Sequence, residues 1–224
     1  MENFFNLKYF LKYIIDVKIL YLFSVVFVIV FSLSLHEFSH AFVANFFGDD
    51  TAKKCGRLTP NPIKHLSLLG TVCMFIFGFG WARPIPVDIN KFSKPKQNMA
   101  LVALAGPFAN FVLAIFGFII YRVVLILSNF GHRHYVFSFL TNFSMFIVIL
   151  NLGLFVFNLV PIPPLDGSRV IMQFLPDQIY YVIMRNEIFG SFLIMFLLYN
   201  GSLRMLVSKI VLVLLKFLGF AGIY

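Results

Sequence analysis

Residues 19–48 read ILYLFSVVFVIVFSLSLHEFSHAFVANFFG, and Glu37 is the single Asp, Glu, Lys or Arg among them. A helix of this length extends about 45 Å, which exceeds the roughly 30 Å hydrocarbon core of a bilayer. The stretch therefore predicts a membrane-spanning helix. It is too long for a cleavable signal peptide, and it has no small-residue cleavage site. Ionisable side chains at membrane depth are costly and mark functional sites, which makes His36, Glu37 and His40 the first candidates.

The composition of the whole chain agrees with a membrane protein. Of its 224 residues, 60% are hydrophobic and 12% are charged, and the mean hydropathy is +0.91. Soluble domains carry about a quarter charged residues, so this composition argues against a water-soluble globule, a disordered chain or a nucleic-acid-binding domain. The 18 basic residues outnumber the 9 acidic ones, an excess that membrane proteins place in cytoplasmic loops.

The apolar stretches predict an all-α polytopic membrane protein with a single domain, residues 1–224. We expect a bundle of about four to six transmembrane segments, with its core at residues 19–175. Residues 1–18 mix lysines with large apolar residues and predict an interfacial N-terminal helix. The C-terminal membrane segments at 188–220 fit either one broken span or two half-helices.

Between these ends, two uncharged stretches at 99–121 and 135–165 predict further spans. The apolar run near 66–82 is short and interrupted by glycines, which predicts a re-entrant loop or hairpin shielded by protein. Residues 168–187 predict an amphipathic segment at the membrane surface.

Basic residues also predict the orientation of the chain. Eight of them lie in residues 49–98, which places that segment in the cytoplasm. The end of the first span that carries His36 and His40 is then the cytoplasmic end. Two spans later the chain returns to the same side near Pro161–Asp166, so the two polar clusters are expected to meet on one face of the membrane.

His36 and His40 are spaced i, i+4, so both imidazoles project from one face of a helix. With Glu37 between them, they form the H-E-x-x-H arrangement, in which two His bind zinc and the Glu acts as general base. The structural alternative is a helix whose His and Glu side chains satisfy one another inside a bundle. Three ionisable groups would then be desolvated inside a span, whereas a bound metal supplies the compensating energy.

A catalytic zinc needs a third protein ligand and an open fourth position. Asp166 is the best candidate, because it follows a membrane stretch whose prolines and Gly167 unwind the backbone. The alternative role for Asp166 is a helix N-cap. Taken alone the two roles are equally supported, and the H-E-x-x-H on the same membrane face favours the ligand.

These two motifs resemble the site-2 protease family of intramembrane zinc metalloproteases. The family pattern is carried by His36–His40 and by NLVPIPPLDG at 158–167. Further family-like stretches are GRLTPNPIKH at 56–65, ARPIPV at 82–87 and AGPFAN at 105–110. The resemblance covers about residues 30–175 and is closest to the compact prokaryotic branch that lacks an appended PDZ or CBS domain.

The resemblance implies one zinc ion per chain, bound by His36, His40 and Asp166, with Glu37 as the catalytic acid and base. Asn158 matches a family position thought to hold the substrate or the developing oxyanion, a role that an amide can fill. His65 stands in a family-like Asn-Pro-x-x-His setting, where it would orient substrate or line the site, although a lone loop His is more often solvated.

The polar residues Asn110 and Asn151 lie in apolar stretches, and for both we expect an interhelical hydrogen bond.

The sequence thus predicts an intramembrane zinc metalloprotease that hydrolyses peptide bonds within or near transmembrane helices of protein substrates. Its expected partners are a substrate's transmembrane helix and the lipid bilayer, with no nucleic acid. Its expected location is the bacterial inner (plasma) membrane, with the active site toward the cytoplasm. The alternative is a non-catalytic zinc-binding or zinc-transporting membrane protein. A zinc transporter would need polar groups along a complete pathway through the membrane. A structural zinc site would need four protein ligands.

Overall fold

The computed structural model describes residues 7–67, 70, 83–128 and 135–220. Most of the predicted re-entrant segment at 66–82 lies outside these residues. The described α-helices, in chain order, are α1 (Leu7–Phe46), α2 (Thr51–Lys54), α3 (Pro95–Ser128), α4 (Tyr135–Asn158), α5 (Asp166–Met172), α6 (Asp177–Arg185), α7 (Glu187–Tyr199) and α8 (Ser202–Phe217). Short 3₁₀ turns at Pro62–Lys64 and Ile89–Lys91 lie between α2 and α3.

Three of these helices, α1, α3 and α4, are long and apolar enough to cross a membrane. A fourth span is added if α6 and α7, which bend by 63° at their junction, count as one broken span. This confirms an all-α polytopic membrane protein, with the described spans at the lower end of the expected number.

Helix α1 is continuous over 40 residues. The structure therefore has no break between the predicted interfacial segment and the first span: from Leu7 onward both belong to one helix. No proline or glycine separates them, and lysine is a good helix former, so nothing in the sequence ends the helix near residue 18. The interfacial position of this segment stays a prediction.

Helix α3 is the central element and packs against α1, α4 and α5. It is longer at both ends than the predicted span at 99–121. It begins at Pro95, a residue favoured in the first helical turn, and it runs past Arg122. An arginine continues a helix readily, and its long side chain can reach the membrane interface from inside a span. A span predicted to end at the first charged residue is therefore shorter than the helix.

The second half of the bundle is built on α4. Helix α8 packs along α4, with Val211 and Leu215 in one buried cluster with Val148, Leu152 and Ala114. The C-terminal segments form two helices, α7 and α8, which fit either a broken span or two half-helices. The predicted amphipathic segment at 168–187 contains α6 and most of α5.

The turn from α4 into α5 brings the two helices back against one another. Helix α4 ends at Asn158, three residues before Pro161, because the residue before a proline avoids helical geometry. Gly167 lies against the backbone of Leu159, where an added Cβ would come within 2.8 Å of the Leu159 Cα. A side chain at this position would push α5 away from the end of α4.

Two described parts of the chain between α1 and α3, residues 47–67 and 83–94, are held together by two buried charged residues. Arg57 donates from its guanidinium to the carbonyl oxygens of Pro84 and Arg83, at 2.7 and 2.5 Å. Asp49, which is fully buried, accepts from the backbone N–H of Asp88 at 2.8 Å and from both the N–H and the hydroxyl of Thr51. These bonds tie the two parts of the loop together.

Gly106 sets the distance between α3 and α1. A Cβ added there would lie 2.5 Å from His40 Cε1 and 2.6 Å from His36 Cε1. We expect Gly106→Ala to lower the free energy of unfolding by about 1–3 kcal/mol, because the helices must separate or the imidazoles must move. Thermal unfolding of the purified protein in detergent measures the change.

Gly153→Ala in α4 is the matched control, because nothing lies within 4 Å of a Cβ at that position. It should leave the protein unchanged or stabilise it by up to about 1 kcal/mol. Equal unfolding temperatures for the two variants would contradict the close approach at Gly106.

The buried Asp49 predicts an acid-sensitive step in stability. Burial alone would raise its pKa, but hydrogen bonds from Thr51 and Asp88, with the Lys91 ammonium, outweigh burial and hold the pKa of Asp49 below its usual value. A carboxylate whose folded pKa is lowered stabilises the fold fully above its unfolded pKa of about 4. This contribution is lost as the pH falls through the folded value.

We therefore expect Asp49→Asn to destabilise the protein at neutral pH by about 2–3 kcal/mol, through loss of bonds to a buried charge. Between pH 4 and pH 2 the variant should lose less stability than the wild type, measured by denaturant unfolding across pH. Asp177→Asn, which changes an exposed carboxylate, should follow the wild-type curve. Parallel curves for wild type and Asp49→Asn would contradict the argument.

Candidate metal centre and active site

His36 and His40 project from the same face of α1 toward α3, as their spacing predicts. Both side chains are buried, with 7% and 8% of their surface exposed. Their Nε2 atoms lie 3.0 Å apart, and the ring planes are nearly perpendicular. The two nitrogens therefore point at a common position.

Asp166 joins the two histidines from α5. Its Oδ2 lies 3.2 Å from His36 Nε2 and 3.5 Å from His40 Nε2. Asp166 is the first residue of α5, and the preceding Leu165 occupies the cap position. The N-cap alternative is therefore wrong, and the carboxylate faces the imidazoles instead.

The spacing of these three atoms fits a tetrahedral metal. Zinc bonds of about 2.0–2.1 Å to nitrogen and oxygen place neighbouring ligand atoms about 3.3 Å apart. The three observed separations, 3.0, 3.2 and 3.5 Å, bracket this value. Among the described residues, these three are the group of His, Cys, Asp or Glu side chains close enough to share an ion.

Hydrogen bonds on the far side of each ring leave both Nε2 atoms free to act as ligands. His40 Nδ1 lies 2.7 Å from the carbonyl oxygen of Val102. A carbonyl can only accept, so Nδ1 carries the proton. His36 Nδ1 lies 2.6 Å from the side-chain oxygen of Asn110 and donates to it in the same way. A metal-bound His is commonly held in this way by a bond from its second nitrogen.

The site therefore gathers three lone-pair-bearing atoms with no donor among them. Such atoms repel one another in an apolar interior unless a cation lies between them. A proton on one Nε2 would satisfy that nitrogen and the carboxylate, whereas a divalent cation satisfies all three atoms. Two imidazoles and one carboxylate suit zinc, and three protein ligands are the number found in catalytic zinc sites.

Glu37 follows the first ligand along α1 and is not part of the ligand group. Its Oε2 accepts a hydrogen bond from the backbone N–H of Ile85, at 3.0 Å. Arg57 holds the two carbonyl groups that precede Ile85 in the chain. The loop after residue 82 thus positions the Glu37 carboxylate beside the histidine pair.

The structure does not bring Asn158 or His65 into the ligand group. Asn158 Nδ2 donates to the carbonyl of Leu154 in its own helix, at 2.9 Å. His65, 2% exposed, donates from Nε2 to the carbonyl of Thr59, and its Nδ1 has no hydrogen-bond partner among the described residues. The roles expected for these two residues stay predictions.

The interhelical bond expected of the two asparagines is confirmed, since Asn110 Nδ2 donates to Asn151 Oδ1 at 2.9 Å. The sequence analysis missed the contact between Asn110 and His36. The available signal was an amide in an apolar helix, four residues after the glycine that makes room for the imidazoles.

An apolar groove of about 890 Å³ runs between α1 and α3, next to the ligand pair. Leu35 and Ser39, which precede the two histidines in the chain, line it from α1. Phe108 and Val112 line it from α3, and Leu159 closes it near the end of α4. The groove offers an apolar surface on the helix that carries the histidine pair.

Comparison with known proteins identifies several relatives. The chain is 45% identical over 179 residues, 78% of its length, to "Putative zinc metalloprotease YwhC" of Bacillus subtilis, of which the match covers 80%. It is 32% identical over 178 residues, 77% of its length, to "Putative zinc metalloprotease Rip2" of Mycolicibacterium smegmatis, of which 65% is covered.

An archaeal protein, "Putative zinc metalloprotease MJ0611" of Methanocaldococcus jannaschii, is 32% identical over 105 residues, 46% of this chain and 49% of its own. No family model and no solved structure matches the chain. The extent of the match to the Bacillus protein and the H-E-x-x-H and L-D-G motifs of the candidate site agree: the chain belongs to the site-2 protease family of zinc metalloproteases.

Proposed function

We propose that this protein is an intramembrane endopeptidase that binds one zinc ion through His36, His40 and Asp166. The observation that carries the proposal is the convergence within 3.5 Å of two Nε2 atoms from buried histidines of α1 and one carboxylate oxygen from the first residue of α5. The names of the relatives support zinc and protease chemistry.

Bound zinc supplies a Lewis acid that activates water and polarises a peptide carbonyl. Glu37 is the proposed acid and base: its carboxylate takes the proton from the attacking water and passes it to the leaving amine. The Ile85 N–H that holds one carboxylate oxygen leaves the other free for this proton transfer. Asn158 is proposed to support the oxyanion, and His65 to hold the turn along which substrate is positioned.

The proposed substrate is the transmembrane helix of another membrane protein, reached from the lipid bilayer. The apolar groove between α1 and α3 supports this choice, because an apolar membrane helix can bind an apolar groove. A segment bound there would lie beside the polar site. Ser39 and Leu35 line the groove one residue before each histidine ligand, so a segment lying there would be close to the metal.

We place the protein in the bacterial inner (plasma) membrane with the active site toward the cytoplasm. The basic loop between α1 and α3 supports this orientation through the positive-inside rule. The loop lies at the end of α1 that carries the histidines, because Ser34 donates to the carbonyl of Pro60 at 2.9 Å and Ile85 donates to Glu37.

Glu37→Gln should separate catalysis from metal binding. The amide keeps an oxygen that can accept from Ile85, but it cannot take a proton, so cleavage of a membrane-helix reporter should fall by about 10²–10⁴-fold. Zinc should remain at one ion per chain, because Glu37 is not a ligand. The measurement is cleavage by purified protein in liposomes, with zinc content determined on the same samples.

Glu187→Gln is the control, since this glutamate pairs with Arg169 at 2.8 Å outside the ligand group. It should keep both cleavage and zinc. A wild type that holds zinc but cleaves none of a panel of membrane-helix reporters would favour the non-catalytic alternative. A wild type without zinc would overturn the site.

Filling the groove should weaken substrate binding without touching the metal. Val112 lines the groove and is 48% exposed, and Ile119, 54% exposed, lies further along α3 outside it. We expect Val112→Trp to raise the KM for a membrane-helix reporter about tenfold, equivalent to about 1.4 kcal/mol. Ile119→Trp should leave the KM unchanged. Zinc content should equal that of the wild type in both, and identical KM values would remove the groove from the proposal.

A further inference from the structure

Three buried polar side chains connect the histidine pair to the centre of the bundle. Asn110 in α3 and Asn151 in α4 are fully buried, and Ser32 in α1 is 1% exposed. Asn151 Nδ2 donates to Ser32 Oγ at 3.0 Å and to the carbonyl of Ile147 at 2.9 Å. Buried amides without partners are costly, so this set of bonds is retained as a unit.

The direction of every bond in this set follows from one backbone atom. The Ile147 carbonyl can only accept, so the NH₂ group of Asn151 must face it. Asn151 Oδ1 then faces Asn110 and accepts from its NH₂ group. Asn110 Oδ1 is therefore turned toward His36 Nδ1, which must donate. The orientation of these amides is set by the bonding pattern, without ambiguity between oxygen and nitrogen.

We propose that Asn110 and Asn151 are positioning residues that hold His36 in the tautomer protonated on Nδ1, so that its Nε2 lone pair faces the metal. This inference rests on the proposed function, since it concerns the same zinc site. His40 needs no such device, because the main-chain carbonyl of Val102 sets its tautomer directly. His36 is thus the ligand whose tautomer depends on side chains.

The opposite arrangement shows why the pair is needed. With both amides reversed, the Asn110 NH₂ group would donate to His36 Nδ1, and the ring proton would move to Nε2, where it blocks the metal. That reversal would set Asn151 Oδ1 against the Ile147 carbonyl, two acceptors at the distance of the present 2.9 Å bond. Asn151 therefore prevents Asn110 from turning.

The test compares three variants by the rate at which zinc is lost to a chelator and by the visible spectrum of the cobalt-substituted protein. Asn110→Leu removes the acceptor, and we expect zinc affinity to fall by about 10–100-fold, the usual effect of losing a partner of a ligand. Asn110→Asp keeps an oxygen facing His36 and should keep the wild-type affinity and cobalt spectrum, although it loses thermal stability because its second oxygen cannot donate to Asn151 Oδ1. Asn151→Leu leaves Asn110 free to turn and should give an intermediate loss.

Ser144→Ala is the control for removing a buried polar group from α4, because among the described residues Ser144 bonds only within its own helix, to Leu140 and Thr141. It should change thermal stability alone. If the asparagines had a purely structural role, Asn110→Leu would also change thermal stability alone and would lose zinc to the chelator at the wild-type rate. That result would overturn the proposal.

A second measurement covers the case in which Asn110→Leu does not fold. Nitrogen NMR of the histidine-labelled, zinc-loaded wild type should show His36 protonated on Nδ1, and a His36 that carries its proton on Nε2 instead would overturn the proposal. Failure of the proposed function is distinguishable, because a protein that binds zinc and obeys these predictions yet cleaves no reporter keeps the positioning role. A wild type that binds no zinc overturns both.

Discussion

Three acceptor atoms converge inside an apolar helical bundle. Because these atoms repel one another, the convergence costs free energy, and the surrounding structure holds them together. His36 Nε2, His40 Nε2 and Asp166 Oδ2 lie within 3.5 Å of one another with no donor between them. A divalent cation satisfies all three atoms at low dielectric, whereas a proton on one Nε2 satisfies only that nitrogen and the carboxylate. Further polar contacts hold the arrangement in place, since each imidazole donates its Nδ1 proton to a fixed acceptor.

Each packing feature near the site serves this convergence. Gly106 lets α3 approach the imidazoles, and Gly167 lets α5 turn back against the end of α4 with Asp166 beside it. Outside the bundle, Arg57 and Asp49 hold the loop whose Ile85 N–H contacts Glu37. The three candidate ligands therefore belong to helices α1 and α5, whereas the carboxylate of the proposed acid and base accepts its hydrogen bond from a loop.

The sequence predicted the helical class, the long spans and the three candidate ligands, because periodicity and motif spacing are local. It underestimated α3, whose ends at Pro95 and Ser128 lie beyond the uncharged stretch, since helix formers continue a helix through charged residues. It also left the C-terminal segments undecided. Whether they form one span or two helices depends on packing of α8 against α4, which no local pattern reports.

What the sequence alone determined is the set of candidates: an H-E-x-x-H in an apolar helix and an L-D-G after prolines predict the ligand types and the base. What only the tertiary structure decided is which atoms of those residues are usable. The position of Asp166 beside the imidazoles depends on the packing of α5 against α3. The proposed Nδ1–H tautomer of His36 depends on Asn110 and Asn151, which lie 74 and 115 positions away from His36 in the chain. Contacts over such separations form only when the helices pack, because hydrogen bonding is decided by distance in space and not along the chain.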